Sequence, residues 1–165
     1  MTRKSRLELA RWAVDLARKE GAAEAAADVC SVRSVQVEIS EGKLDKLQEA
    51  GQHGLALSIY RDQRYSEQIT NDLRKDVLAK LICEALATTR YLAPDPFRAQ
   101  PDRKYYEGRQ KRRLNLVDRG YDRVDTDERV RRAKAIEAAA LAHSDRVVSV
   151  TARYGDNLSW IATVF

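Results

Sequence analysis

The chain has 165 residues, of which 33% are charged and 44% are hydrophobic, and it carries a formal net charge of +5. This composition suits one domain, or one domain with part of another, with a core of moderate size. No apolar run approaches the roughly 18 residues that a membrane-spanning helix requires. The basic start is followed by no unbroken apolar stretch, so we expect no signal peptide. The sequence predicts a soluble protein without a membrane span.

The two cysteines, Cys30 and Cys83, are far apart in the sequence and fit no metal-binding or redox spacing. We therefore expect two buried, reduced thiols rather than a disulfide or a metal site. Reduced thiols without a secretion signal indicate a cytoplasmic protein.

The positive charge is concentrated in one segment, between Arg98 and Arg119. Eight basic residues stand there against three acidic ones, which accounts for the whole net charge of the chain. The rest of the sequence is close to neutral, so a general affinity for polyanions is not expected.

The first elements along the chain are a helix and a strand. Apolar residues recur at helical spacing between Ser5 and Glu20, and Gly21 marks the end of that helix. Val35, Val37 and Ile39 then alternate with polar residues, which predicts a half-buried strand.

Two turns and further strands follow. Glu41-Gly42-Lys43 predicts a turn into a weaker partner strand over residues 44–50. Leu55, Leu57 and Ile59 alternate again, and a second turn at residues 62–64 leads into a strand over residues 65–70.

The helix with the clearest apolar stripe begins after Asn71 or Asp72, either of which is a suitable N-cap. Pro94 and Pro96 end this ordered unit. We therefore predict an N-terminal α/β lobe over residues 1–93. The apolar stripe of the helix is formed by Leu73, Val77, Leu81 and Ala85.

A basic linker over residues 94–124 is expected to precede the start of a second domain over residues 125–165. Asp125 and Glu128 form an approximate capping box for a helix, and a strand follows over residues 148–154. Gly155-Asp-Asn157 is typical of a hairpin turn into a returning strand. Because this strand reaches Phe165 without a closing turn or a polar tail, we expect the second domain to be truncated.

Candidate chemistry in the chain is sparse. Neither His53 nor His143 has a partner at ligand spacing, so no metal ligand and no catalytic residue is predicted. The basic segment, with Tyr105 and Tyr106 among its cations, supports an alternative function as a non-enzymatic binding module for nucleic acid or an acidic protein. A solvated linker or a contact with an acidic protein is favoured over nucleic acid. The basic surface would comprise Arg109, Lys111, Arg112 and Arg113.

An ordered set of short motifs resembles the N-terminal part of the TldD/PmbA family of metallopeptidases, and the resemblance covers almost the whole chain. The double-proline element and the motif at residues 114–118 are more similar to the PmbA (TldE) side of the family. The motifs are Val37-Glu-Ile-Ser-Glu-Gly-Lys-Leu44, Gly54-Leu-Ala-Leu57, Thr70-Asn-Asp-Leu73, Arg90-Tyr-Leu-Ala-Pro-Asp-Pro96, Leu114-Asn-Leu-Val-Asp118 and Val148-Ser-Val-Thr-Ala-Arg-Tyr154.

The resemblance implies a two-lobed α/β protein that pairs with a TldD/PmbA-type partner subunit, or with a second copy, to cleave peptides. It implies zinc for the full complex, bound by a His-Glu-x-x-x-His motif of the TldD-type subunit, but no position in this chain matches that motif. The chain would shape the peptide cleft and the subunit interface without zinc ligands or catalytic residues of its own. If they line a cleft, Tyr60, Asp72 and Tyr154 are the candidate substrate contacts, and core or capping roles are the favoured alternative for them.

The expected fold is therefore α/β (α+β). It comprises a mixed or antiparallel sheet with helices packed on one face, followed by a linker and by a helix plus β-hairpin from a second domain.

Overall fold

The computed structural model describes residues 1–108, 112 and 114–165, without the side chain of Arg103. The described residues form three α-helices and four β-strands, together with short 3₁₀ turns at Arg103–Tyr106 and Tyr121–Arg123. In chain order the elements are α1 (Arg3–Lys19), β1 (Glu24–Ser40), β2 (Lys43–Arg61), β3 (Arg64–Thr70), α2 (Lys75–Thr89), α3 (Thr126–Leu141) and β4 (Thr151–Val164).

The strands form one antiparallel sheet in the order β3-β2-β1-β4. In the β2–β3 ladder Leu55 pairs with Thr70, and Arg61 pairs with Arg64 at the turn. The predicted α+β fold class is confirmed.

Both predicted β-turns are confirmed, and each has two residues with positive φ. Glu41 and Gly42 join β1 to β2, and Asp62 and Gln63 join β2 to β3. Two successive residues with positive φ form the tight turn whose twist matches that of antiparallel strands. The strands are longer than predicted: β1 begins at Glu24, and β2 continues through Gly51 and Gly54.

The predicted hairpin at Gly155-Asp-Asn157 is wrong. Residues 151–164 form a single strand, β4, that runs beside β1. Side-chain contacts on both sides of Gly155 reach β1, because Arg153 bonds Glu38 and Thr163 bonds Asp28. Pairing along the length of β1 therefore outweighs the local preference of Gly, Asp and Asn for a turn.

The two predicted N-caps have different outcomes. Asp125 caps α3 as expected, accepting the Glu128 backbone N–H at 2.8 Å, but the Glu128 carboxylate binds arginines of its own helix. Helix α2 begins later than predicted, with Arg74 at its N-cap. Asp72 instead accepts hydrogen bonds from the backbone and side chain of Arg74.

The chain divides into two compact units. The first unit contains residues 1–31, 52–110 and 159–165, and the second contains residues 32–51 and 111–158. The domain boundaries expected at residues 93 and 124 stay a prediction.

The first unit has an apolar core between helices α1 and α2 and one face of its part of the sheet. Every second residue of β1 and β2 points into it, as in Val29 and Leu57, which are fully buried. The helices contribute Val14, Leu78 and Ile82 among others. Cys30 is half-buried and Cys83 is exposed, so the expectation of two buried thiols is wrong for Cys83, although both are free.

Residues 94–108, part of the predicted linker, belong to the first unit and pack on the rest of it, and we refer to them as the strap. The Asp95 backbone N–H donates to the Gln63 carbonyl, and the Gln100 backbone N–H donates to Glu24 Oε2 at 2.9 Å. Aromatic contacts add to these bonds. Arg98 lies 4.7 Å from the centre of the Tyr65 ring, and Tyr106 stacks on Phe165.

The second unit has a smaller apolar core. Val37 and Ile39 of β1 pack against Ala133 of α3, with Val130 and Tyr154 at the periphery. The alternating pattern that predicted this strand is thus confirmed, and its apolar residues form the sheet face that α3 covers.

Candidate functional site

Tyr60 lies at the end of β2, in the first unit. Its ring centre is 5.0 Å from that of Tyr65, and its pKa is raised, first by burial and then by the Tyr65 hydroxyl. The side chains of Arg98 and Glu24 are close enough to influence the same pKa. Tyr60 is therefore a half-buried phenol in the region that the strap contacts.

Asp72 lies beyond the opposite end of the β2–β3 ladder, since Thr70 pairs with Leu55 whereas Tyr60 pairs with Tyr65. Hydrogen bonds from the Arg74 side chain and backbone lower the pKa of Asp72 to about 2. The carboxylate thus forms an ion pair with Arg74 that holds the backbone directly before α2.

Tyr154 belongs to the second unit, on β4. Its ring borders the small apolar core, and its hydroxyl lies 3.4 Å from Nη1 of Arg132. Tyr60 and Asp72 lie at opposite ends of one ladder and Tyr154 belongs to the other unit, and their role as substrate contacts stays a prediction.

The predicted basic surface falls largely outside the described residues. Arg109, Lys111 and Arg113 are not described, whereas Arg112 is described and engages in an interaction of its own.

A polar cluster that the sequence did not indicate lies between α3 and β4 of the second unit. Arg129, with only 4% of its side chain exposed, donates from Nε to Asp156 Oδ2 at 2.7 Å and from Nη2 to Oδ1 at 3.4 Å. Burial tends to raise the pKa of Asp156, but the bonds from Arg129 and the approach of the Tyr121 hydroxyl outweigh it, so the pKa is lowered. Both side chains are therefore ionised, and their opposite charges cancel.

The Tyr121 hydroxyl extends this cluster. It is buried, and no described residue meets it with the geometry of a full hydrogen bond. Burial raises its pKa most, and the nearby Asp156 carboxylate raises it further. The phenol is therefore un-ionised at neutral pH and stays a potential donor.

A second buried carboxylate, Glu137 of α3, binds the turn between β1 and β2. Its two oxygens accept the Gly42 backbone N–H at 3.2 and 3.0 Å, and only 3% of the residue is exposed. This contact satisfies the backbone donor of Gly42, which, like the preceding Glu41, has positive φ.

A groove of about 420 Å³ lies beside the Arg129–Asp156 pair, entirely within the second unit. Uncharged polar side chains dominate its lining, with contributions from β1, β2 and β4. Gly155, Val35 and Asp156 complete it. The polar lining comprises Ser34, Gln36, Gln48 and Asn157.

The cluster and the groove were missed because their signals are not local. In sequence, Arg129 resembles any surface arginine of a helix that also carries Arg131 and Arg132, and the Gly155-Asp-Asn157 pattern predicts a hairpin turn at Asp156. Only the pairing of β4 with β1 brings Asp156 to α3.

The described residues do not fit a zinc site. They contain no group of three or more His, Cys, Asp or Glu side chains placed to hold a metal ion. His53 and His143 belong to different units. Among the described residues, no helix is long and apolar enough to cross a bilayer.

The described residues thus form an α+β module with a four-stranded antiparallel sheet and, in the second unit, a polar groove. No family model matches the chain. It is 27% identical over 141 residues to the "Metalloprotease PmbA homolog" of Haemophilus influenzae, a match that covers 84% of this chain and 30% of that protein.

Solved structures agree with that match. A candidate modulator of DNA gyrase from Bacteroides thetaiotaomicron aligns over 99% of this chain and 37% of its own, with a TM-score of 0.89 and 32% identity. TldE from Thermococcus kodakarensis shares the fold, with a TM-score of 0.66, 10% identity and coverage of 94% of this chain and 37% of its own. In sequence and fold the chain is thus similar to members of the TldD/PmbA family, and it is PmbA (TldE)-like. It spans about a third of the length of these relatives.

Proposed function

We propose that this chain is the N-terminal part of a TldD/PmbA-type metallopeptidase subunit, which contributes peptide-cleft surface and subunit interface but no zinc ligands. The observation that supports this most strongly is the match to the candidate gyrase modulator over nearly the whole chain, at 32% identity. The curated relative is named a metalloprotease, which supplies the reaction class.

The proposal assigns the metal and the catalytic groups to other parts of the complex. Zinc would activate a water molecule for attack on a peptide carbonyl. The residues of this chain would instead hold and orient the peptide and the partner. We place the complex in the cytoplasm, as a heterodimer with a TldD-type subunit or as a homodimer.

Association with a partner subunit tests this proposal. We would mix the chain with the TldD-type subunit encoded in the same genome and measure mass by light scattering during size-exclusion chromatography. We expect a complex heavier than the partner alone by one or two copies of 18.7 kDa. Separate elution at micromolar concentrations, with no change in the partner's peptidase activity, would refute the proposal.

The alternative function, a nucleic-acid or acidic-protein binding module, is not favoured by the comparisons. Its signature would be an affinity for single-stranded oligonucleotides that falls steeply with salt. We expect no measurable binding of such oligonucleotides at 150 mM salt.

A further inference from the structure

The groove of the second unit combines features that point to a particular ligand chemistry. Its volume, about 420 Å³, lies in the range of small-ligand sites. The polar groups around it are one hydroxyl and three side-chain amides, from Ser34, Gln36, Gln48 and Asn157. Each amide offers both donors and an acceptor, so together they complement a ligand that presents both.

The described lining of the groove offers little to a strongly charged ligand. Its one carboxylate, Asp156, is already bound through both oxygens by the buried Arg129. Lys46 donates to the Gln36 amide oxygen, an oxygen of the lining, at 3.5 Å. Among the described lining residues, a phosphate would find no guanidinium clamp, and a metal ion would find no set of anionic ligands.

The groove is open at Gly155, which has no side chain to fill it. Gly155 does not have positive φ, and a Cβ placed on it would meet only the Val35 carbonyl oxygen, at an ordinary contact distance of 3.7 Å. The backbone therefore does not require glycine at this position. A larger side chain would project into open space at the groove, so the consequence of glycine here is accessible volume.

We propose that this groove binds an uncharged, extended peptide segment through its main-chain amides. Secondary amides match the donor and acceptor set of the lining, and the described lining residues include no aromatic platform for a sugar or a base. The inference rests on the proposed function and deepens it, because it locates a peptide-binding surface within this part of the subunit.

The test uses a blocked groove and a matched control. The probe is N-acetyl-trialanine methylamide, titrated into the ¹⁵N-labelled chain and followed by amide NMR shifts. We expect dissociation on the order of millimolar, with shifts concentrated at Ser34, Gln36, Gln48 and residues 155–157. Gly155→Leu should weaken binding at least tenfold. Gly51→Leu, on β2 with no atom within 4 Å of an added Cβ, should leave it unchanged.

A second variant keeps the test decisive if Gly155→Leu does not fold. The double variant Gln48→Ala, Asn157→Ala removes two exposed amides and should weaken binding about threefold to tenfold. The inference is overturned if the capped peptide causes no shifts at the groove, or if the double variant and Gly155→Leu both bind as the unaltered chain does. Binding of diacetylchitobiose but not of the peptide would also overturn it.

This outcome is separable from that of the proposed function. Peptide binding by the isolated chain needs no partner, and partner association needs no intact groove. Loss of peptide binding with normal association would reject the groove alone, and the converse result would reject the subunit role alone.

Discussion

The two compact units are stabilised in different ways. The interior of the first unit is mainly apolar, with two helices covering fully buried residues such as Leu57 and Ile82, although the buried Arg6 is bonded to Ser31 at its margin. The second unit buries few apolar side chains but encloses charged ones, Arg129 and Glu137, each of which has a specific hydrogen-bond partner. Apolar burial gives stability roughly in proportion to area, whereas buried charges mainly enforce one arrangement of their elements. The second unit is also where the polar groove lies.

The largest effect is expected from the apolar core of the first unit. Leu57→Ala removes a side chain with no exposed surface, and we expect the free energy of unfolding to fall by about 3–4 kcal/mol. Urea denaturation followed by circular dichroism measures it. Leu47→Ala, at a position 46% exposed on the same strand β2, is the control and should change stability little. Equal effects at both positions would contradict the assignment of the core.

The buried ion pair should give the next largest effect. Asp156→Asn leaves the Arg129 guanidinium buried without its counter-charge, and we expect a loss of about 2 kcal/mol in unfolding free energy. The control is Glu49→Gln, which breaks the exposed pair with Arg33 and should have a small effect. If the two variants unfold at the same urea concentration, the pair does not stabilise the second unit.

The contact between Glu137 and the turn at Gly42 should contribute less. Glu137→Gln keeps an acceptor for the Gly42 N–H but removes the charge, so we expect a loss of about 1 kcal/mol. Amide hydrogen exchange should quicken most at Gly42. Unchanged exchange at Gly42 would show that the carboxylate does not hold the turn.

The pH dependence of stability should distinguish the buried ion pair of the second unit from the apolar core of the first. The pKa of Asp156 is lowered in the folded chain, so its contribution is fully present above the ordinary aspartate value of 3.8. It is lost as pH falls through the lower, folded pKa, because the unfolded state then binds more protons. We expect the stability difference between the unaltered chain and Asp156→Asn to be constant above about pH 5.

Below pH 3.8 that difference should shrink, as measured by urea denaturation at a series of pH values. Leu57→Ala provides the comparison, since its cost should not depend on pH. A difference for Asp156→Asn that persists unchanged to the lowest pH would mean that the ion pair is not its source.

Much of the fold could be predicted from the sequence because its signals are local. Alternation at residues 35–39 and 55–59 identified strands, and two-residue turns at Glu41 and Asp62 were evident from their flanking patterns. The continuity of β4 could not be predicted, because Gly155-Asp-Asn157 favours a turn and only pairing with β1 keeps it extended.

The site was much less predictable than the fold. Tyr60, Asp72 and Tyr154 were candidates by resemblance, and the structure places each in a separate environment. The groove depends on side chains from three strands and on the missing side chain at Gly155, none of which is distinctive in sequence. Arg129 was hidden among neighbouring arginines, since burial and not residue type sets it apart.

The smallest expected effect concerns the strap of the first unit. Glu24→Ala removes the acceptor of the Gln100 N–H, which should open the strap locally without unfolding the core. We expect tryptic cleavage after Arg98, followed by mass spectrometry, to be about fivefold to tenfold faster, because cleavage follows the open population. Glu20→Ala is the control, since the Glu20 side chain bonds no described residue. Equal cleavage rates in the two variants would mean that the remaining contacts, Arg98 on Tyr65 and Tyr106 on Phe165, suffice to hold the strap closed.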